Sequence, residues 1–334
     1  MAKSAIFQAI EDQRAAIDRG EKEMLRELTR QWMPARDLLA KRITELTDYI
    51  NAEHEAGRGV QVSYLYALDR YKIMMEEAEQ AVKSYNYAIR GLITGAEADA
   101  VNIGAENARN IMEIVEPDDP MWTRINKRET RIMSGMLSEP SPLSTLLNAS
   151  WPETRAGLDS VLLAGISTGQ GPEWIASRLK NAFDVPLKRA LTIARTETNR
   201  AYRAANLETM RSSRVVKGYR RVCYKPTACF ACLMLDGEYY DKKEDFSDHP
   251  NGKCAAVPVT RHFDPGDDPD WQKGADWFEN DLTADEQRSI MGDGRYELWK
   301  EDGIDPTDMV YIKQNKLWGG SPTVYSLEKL KNMV

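Results

Sequence analysis

Long apolar runs are missing from this 334-residue sequence, and their absence argues against a membrane protein. No stretch of about 20 apolar residues is present, which is the length that a helix needs to span a bilayer. The N-terminus, MAKSAIFQAIEDQRAAIDRG, also lacks the uninterrupted apolar segment of a signal peptide. We therefore expect the chain to fold in the cytoplasm, without a membrane partner.

Common catalytic motifs are also lacking. The sequence has no HExxH and no Walker loop. GISTG matches the letters of G-x-S-x-G around Ser167, but it ends a predicted helix, whereas the motif joins a strand to a helix. A zinc deaminase pairs H-x-E with P-C-x-x-C; here Pro226 comes two residues too early, and His54 is followed directly by Glu55. These departures disfavour an enzyme.

Cysteine and histidine are scarce, and their distribution is uneven. The chain has four cysteines and three histidines. All four cysteines, together with His249, fall between residues 191 and 254. Thiols stay reduced in the cytoplasm, so a cluster of this kind favours metal binding over a disulfide.

The composition is otherwise that of a globular protein, with 42% hydrophobic and 29% charged residues. The net charge of -7 conceals a strong segregation, since residues 264–308 hold fifteen acidic residues against four basic ones. Residues 195–221 reverse the balance and predict a contact face for phosphate or an acidic partner; two solvated surfaces of opposite sign are the alternative. The candidate contact residues are Arg195, Arg200, Arg203, Arg211, Arg214, Lys217, Arg220 and Arg221.

The length predicts two or three folding units, and turn-rich segments suggest where they divide. We expect an N-terminal helical arm over residues 1–140, a core over 141–262 and an acidic, Trp-rich segment over 263–334. The arm reads as three or four helices of an elongated bundle, with breaks near Gly20, Pro34 and Gly57.

The core combines helices with a small sheet. A long basic helix starts at Pro186, and its apolar stripe becomes small after Leu191, which would let another element approach closely. Within it, Glu197 is either an ion-pair partner of Arg200 or a catalytic carboxylate. VVKGYRRVCY, a hairpin around Asp236-Gly237 and AAVPVTRHF predict two or three strands. The fold class is therefore mainly α with a small β module (α+β), closed by C-terminal helices.

Such a sheet is too small to be stable by burial alone, and a metal would supply the missing stability. The spacing of Cys229, Cys232, His249 and Cys254 predicts a closed four-ligand zinc site with a structural role. Cys223 is the alternative fourth ligand. Two further interpretations remain: reduced cysteines without metal, and a Cys229–Cys232 redox disulfide.

The strings ARTETNRAYR, CFACLMLDGEYY and HPNGKC resemble the phage Mu F-like minor head proteins, the head morphogenesis proteins of tailed phages. Only Cys229, Cys232, His249 and Cys254 can be carried over by position, because Gly252 stands where that family commonly has the first cysteine of Cys-x-Cys. The resemblance implies a virion protein, present in few copies near the portal or capsid interior, that assists head assembly, DNA packaging or ejection. The missing catalytic motifs and the closed ligand set predict that it is not an enzyme. The resemblance also implies portal or major capsid protein as partners, packaged DNA as a possible contact, and the host cytoplasm as the place of assembly.

Two alternatives from other classes stay open at this point. One is a nucleic-acid-binding zinc module, whose affinity should fall steeply with salt. The other is an enzyme, either a metal hydrolase or an ADP-ribosyltransferase-like domain. Loss of turnover in Glu197→Gln would favour the enzyme.

Overall fold

The computed structural model describes residues 5–58, 68–116, 142–168, 170, 172–315 and 319–333. These residues form two compact units. The helical unit comprises the described residues of Gly20–Ala96 and Met136–Arg195. The sheet unit comprises those of Met1–Arg19, Glu97–Gly135 and Thr196–Val334.

Six helices precede the first strand among the described residues. They are α1 (Ala5–Glu55), α2 (Asp69–Val115), α3 (Pro142–Asn148), α4 (Ser150–Ser167), α5 (Pro172–Phe183) and α6 (Val185–Ser212). No helix in the described part of the chain is long and apolar enough to cross a membrane.

Helix α1 corrects the prediction of a break at Gly20 or Pro34. It continues through both residues for 51 residues. Proline removes only one backbone donor, and apolar side chains on both sides of Pro34 are fully buried, which offsets the lost hydrogen bond. Leu28 and Trp32 lie before it and Leu39 after it, each at most 1% exposed. The expected break near Gly57 is observed, since α1 ends at Glu55.

The core of the helical unit is built around Trp32. Its ring stacks on Phe183 with centroids 4.7 Å apart and meets Tyr85 edge-on at 4.8 Å. The indole N–H donates to Asp184 at 3.3 Å, so the buried ring also has its polar atom satisfied.

In the sheet unit, helices α2 and α6 pack closely, as the small residues of α6 predicted. Ala201 and Ala205 are buried. A Cβ added at Gly104 of α2 would lie 2.2 Å from the backbone oxygen of Tyr202. The Tyr202 hydroxyl accepts hydrogen bonds from Asn107 at 2.8 Å and Asn206 at 3.2 Å.

The predicted small sheet has three antiparallel strands in the order β2-β1-β3. The strands are β1 (Gly218–Val222), β2 (Tyr239–Asp241) and β3 (Ala255–Val259). The expected hairpin at Asp236-Gly237 is wrong. A short helix, α7 (Phe230–Met234), precedes this turn, and Gly237 adopts φ +90°. The turn therefore connects the helix α7 to the strand β2, and β2 pairs with β1.

The C-terminal segment adds three helices, a second antiparallel sheet and a final helix. These elements are α8 (Gly274–Asn280), α9 (Ala284–Met291), α10 (Asp293–Lys300), β4 (Val310–Asn315), β5 (Gly319–Val324) and α11 (Leu327–Lys331). The hairpin β4–β5 was not predicted. Phe278, Met291 and Leu298 share one buried cluster with Phe230 and Cys232 of the cysteine region. The structure confirms the α+β fold class, and the predicted domain boundaries stay a prediction.

Candidate metal centre

Helix α7 brings Cys229 and Cys232 together. Cys229 directly precedes α7 as its N-cap residue, and its carbonyl accepts a hydrogen bond from Leu233 N at 3.0 Å. One helical turn later, Cys232 is buried, whereas Cys229 is exposed. The Cys-x-x-Cys spacing at a helix start therefore gives one thiol facing solvent and one facing the core.

A tight turn presents His249 to these thiols. Gly252 N donates to His249 O at 2.8 Å, which closes a four-residue turn. Asn251 has φ 63°, a conformation that asparagine tolerates, and Pro250 precedes it, as in a type II turn. His249 Nδ1 lies 2.8 Å from Pro250 O. A carbonyl can only accept, so Nδ1 carries the proton and the lone pair of Nε2 is free to bind a metal.

The distances around Nε2 suit a zinc ion. Nε2 lies 3.3 Å from the Sγ atoms of both Cys229 and Cys232. Tetrahedral zinc, with bonds of about 2.3 Å to sulfur and about 2.0 Å to nitrogen, separates such ligands by roughly 3.6 Å. These three residues form a group that could hold a metal ion, so the donor set fits the predicted cofactor.

Cys254 joins the cluster from the start of β3. Its Sγ belongs to a second group of possible ligands with Cys232 and Asp248, in which the three ligand atoms lie within 4.8 Å of one another. Cys232 is common to both groups. The predicted ligands Cys229, Cys232, His249 and Cys254 thus come from α7, one turn and one strand start, and they converge around Cys232.

Cys223 lies at the end of β1 and belongs to neither group of possible ligands among the described residues. It lines the same cavity of about 260 Å³ that borders Cys229 and His249. Burial and the neighbouring Asp236 carboxylate raise the pKa of the Cys223 thiol. Asp236 also accepts a hydrogen bond from the Cys223 backbone N. Cys223 is thus held as a protonated thiol beside Asp236.

Hydrogen bonds link the Cys232 thiol to those of Cys229 and Cys254. Hydrogen bonds from Cys232 lower the pKa of Cys229 to about 4 and lower the pKa of Cys254. The same contacts, followed by burial, raise the pKa of Cys232. A hydrogen bond with Cys229 raises the pKa of His249 to about 9. A bound metal would take the place of these protons, because thiolate is the ligand form of cysteine.

Asp248 was not singled out from the sequence, yet it links the centre to two of the predicted contact arginines. Its Oδ1 accepts from Arg221 Nη2 at 3.0 Å, and its Oδ2 lies 2.9 Å from Arg203 Nη1. Arg221 Nη2 also lies 3.5 Å from Cys232 Sγ. Arg203 and Arg221 are buried. The only sequence signal for Asp248 was its position directly before His249.

The other candidate contact residues lie in several environments. Arg195 pairs with Glu21 at 2.8 Å, Arg200 with Glu197 at 2.7 Å, Arg211 with Asp245 at 2.8 Å and Arg220 with Asp264, whereas Arg214 and Lys217 are exposed. The Glu197–Arg200 ion pair that the spacing predicted is present. Most of the predicted basic face is therefore engaged within the chain.

Helix α6 supports the backbone of the His249 turn. Thr196 Oγ1 accepts a hydrogen bond from Asn251 N at 3.1 Å. Arg203 Nη1 donates to Gly252 O at 3.0 Å. The ARTETNRAYR string thus places polar side chains of a helix under the HPNGKC turn, which explains why Thr196 and Arg203 are polar and buried.

Gly252 has a steric role in this turn. A Cβ added there would lie 2.3 Å from the carboxylate atoms of Asp248. A cysteine at this position would have to displace that carboxylate. In this chain the Asp248 carboxylate therefore requires a glycine at position 252.

Ser167 ends α4, as predicted for GISTG, and its side chain lies outside the described residues.

Comparison with known proteins identifies the same part of the chain. Residues 156–257 match a family model described as Phage Mu protein F like protein. The match covers less than a third of the chain and includes every predicted metal ligand; it confirms the resemblance seen in the sequence. No curated protein and no solved structure matches the chain.

Proposed function

We propose that this chain, whose residues 156–257 form a Phage Mu F-like region, is a minor capsid protein that serves head morphogenesis in a tailed phage. It acts as a structural, non-enzymatic component near the portal or in the capsid interior, where it assists head assembly, DNA packaging or ejection. Its partners are the portal protein, the major capsid protein, or both. It assembles in the host cytoplasm and ends in the virion.

The observation that carries the proposal is that Cys229, His249 and Cys254 each lie close to Cys232 within the family-matched region. Three cysteines and one histidine would fill the four positions that zinc offers in a structural site and would leave none for a catalytic water. The ion would supply a crosslink between α7, the His249 turn and β3. That role is structural.

The centre also lies where a crosslink has a large effect on stability. Cys232 and Cys254 belong to the same buried cluster as Phe278 and Leu298 of the C-terminal segment. The three-stranded sheet has strands of at most five residues, which provide little apolar burial of their own. Zinc would therefore hold the sheet and the C-terminal helices in one core.

Purified virions allow the proposed portal and capsid partners to be tested. We expect quantitative mass spectrometry of purified virions to find the chain in few copies, with crosslinks to portal or capsid subunits. Phage carrying Cys229→Ser should yield fewer filled heads, while Cys223→Ser should assemble normally. A chain absent from virions, or full infectivity without it, would contradict the proposal.

Contact with packaged DNA is a further part of the proposal, and the exposed Arg214 and Lys217 are its best remaining candidates. If they bind phosphates, changing both to alanine should reduce the slope of log affinity against log salt by about two. A salt-independent affinity would exclude this contact.

A further inference from the structure

We infer that Arg221 and Asp248 are positioning residues that make the metal centre specific for three thiolates and one imidazole. The inference rests on the zinc site of the proposed function. The inference adds to the zinc site an account of its charge balance, and this balance determines whether His249 or a fourth cysteine completes the ligand set.

The proposed zinc ion and its four ligands would carry a net negative charge. A divalent ion with three thiolates and a neutral imidazole carries one net negative charge. Asp248 adds a second negative charge in its immediate surroundings. Cys232, Cys254 and Asp248 are buried, so the negative charge that they carry is costly unless opposite charges lie close by.

Two buried arginines lie beside Asp248 and offset this negative charge. Arg221 and Asp248 each have side chains only 1% exposed, and Arg203 is 7% exposed. The two guanidinium groups bracket the Asp248 carboxylate through different oxygens. Two positive charges would therefore balance the carboxylate and the three-thiolate complex, so that the charges of the centre and its buried neighbours sum to zero.

Arg221 contacts a predicted ligand as well as the carboxylate. Its Nη2 touches both Asp248 and Cys232, the sulfur common to both groups of possible ligands. Its Nη1 donates to Ser247 O at 2.5 Å, and its guanidinium lies 4.8 Å from the Phe246 ring. These contacts fix the side chain, so its charge is held against one ligand sulfur.

A fourth thiolate would break the balance. Replacing His249 by a cysteine, or recruiting Cys223 in its place, would add a negative charge that no further buried arginine of the described cluster offsets. The same network therefore explains why a histidine completes the centre although a spare cysteine lines the adjoining cavity.

The test uses the full chain and follows Co²⁺ by its thiolate absorption and Zn²⁺ by competition with a chromophoric chelator. Arg221→Met should weaken metal binding by about 10- to 100-fold, the usual range for outer-shell partners of a metal site. The double variant Arg221→Met/Asp248→Asn restores neutrality and should bind more tightly than Arg221→Met alone. Removal of packing alone would make the double variant worse.

Arg220→Met is the matched control. Arg220 precedes Arg221 on β1 but pairs with Asp264, with Nη2 2.7 Å from Oδ2. Its metal affinity should stay within a factor of about two to three of the wild-type value. If Arg221→Met fails to fold, Arg221→Lys keeps the charge and should retain most of the affinity, with an unchanged Co²⁺ spectrum.

The outcomes separate the two proposals. Wild-type protein that binds no metal contradicts the zinc centre itself. Wild-type protein that binds metal while Arg221→Met binds it equally well overturns the role of Arg221 and leaves the zinc centre standing. A double variant weaker than Arg221→Met overturns the charge-balance argument.

Discussion

Replacing Gly104 by alanine tests the close packing of α2 against α6. The added Cβ would lie 2.2 Å from Tyr202 O and 3.0 Å from its carbonyl carbon. These are backbone atoms of a helix, so the contact cannot be relieved by a side-chain rotation. Helix propensity alone would favour alanine by about 1 kcal/mol, but overpacking of this kind costs about 1–3 kcal/mol or more.

The gain in helix propensity and the cost of overpacking oppose each other. With a contact at 2.2 Å, the cost of overpacking is the larger of the two. We expect Gly104→Ala to destabilise the sheet unit by about 1–2 kcal/mol. Gly95→Ala is the matched control, because Gly95 lies on the same helix and a Cβ added there would meet no atom within 4 Å. It should be neutral or stabilise by up to about 1 kcal/mol.

Urea unfolding followed by far-ultraviolet circular dichroism would measure both effects. Hydrogen exchange at amides near Tyr202 would assign the Gly104→Ala change to the sheet unit. If Gly104→Ala proved as stable as Gly95→Ala, the close helix contact would be wrong, and with it the placement of α6 under the metal turn.

Three further predictions concern the metal centre and the second core. Cys229→Ser should abolish stoichiometric zinc binding while Cys223→Ser retains it, as measured by metal analysis; equal loss in both would restore Cys223 as a ligand. Gly252→Ala should destabilise the sheet unit by about 1–3 kcal/mol through its clash with Asp248, and an unchanged urea midpoint would contradict that clash. Trp32→Ala should cost about 3–5 kcal/mol in the helical unit, while zinc content stays constant; a smaller loss would mean that this core repacks.

Much of the fold follows from local patterns. The end of α4 was readable from GISTG and the start of α6 from Pro186, because glycine and proline act on the backbone locally. The strands β1 and β3 were readable from their β-branched and aromatic content. Pro34 misled for the same reason, since its local effect is offset by tertiary burial on both sides, which a sequence pattern does not reveal.

The ligand candidates could also be named from spacing, whereas their surroundings could not. A run of arginines looks the same in sequence whether it faces solvent or a buried carboxylate. Arg203 and Arg221 were predicted as surface contacts because they lie among other basic residues. Their burial depends on Asp248, which is distant in sequence and acts only after the chain has folded.

The C-terminal segment shows a similar limit. Phe278 of this segment packs with Phe230 of the cysteine region, with ring centroids 5.5 Å apart. The hairpin β4–β5 was missed because KLWGGSP is rich in turn formers and the short flanking strands have weak alternation. Side chains at 316–318 lie outside the described residues.

We propose that zinc holds the Phage Mu F-like region together, and the metal content of the full chain is the measurement that decides this. Protein purified without added metal or chelator should contain about one zinc ion per chain by elemental analysis. Chelation should then lower the unfolding temperature of the sheet unit, because metal binding contributes to folding. Protein that is free of metal as purified, and whose unfolding temperature is unchanged after zinc is added, would rule out a structural zinc ion.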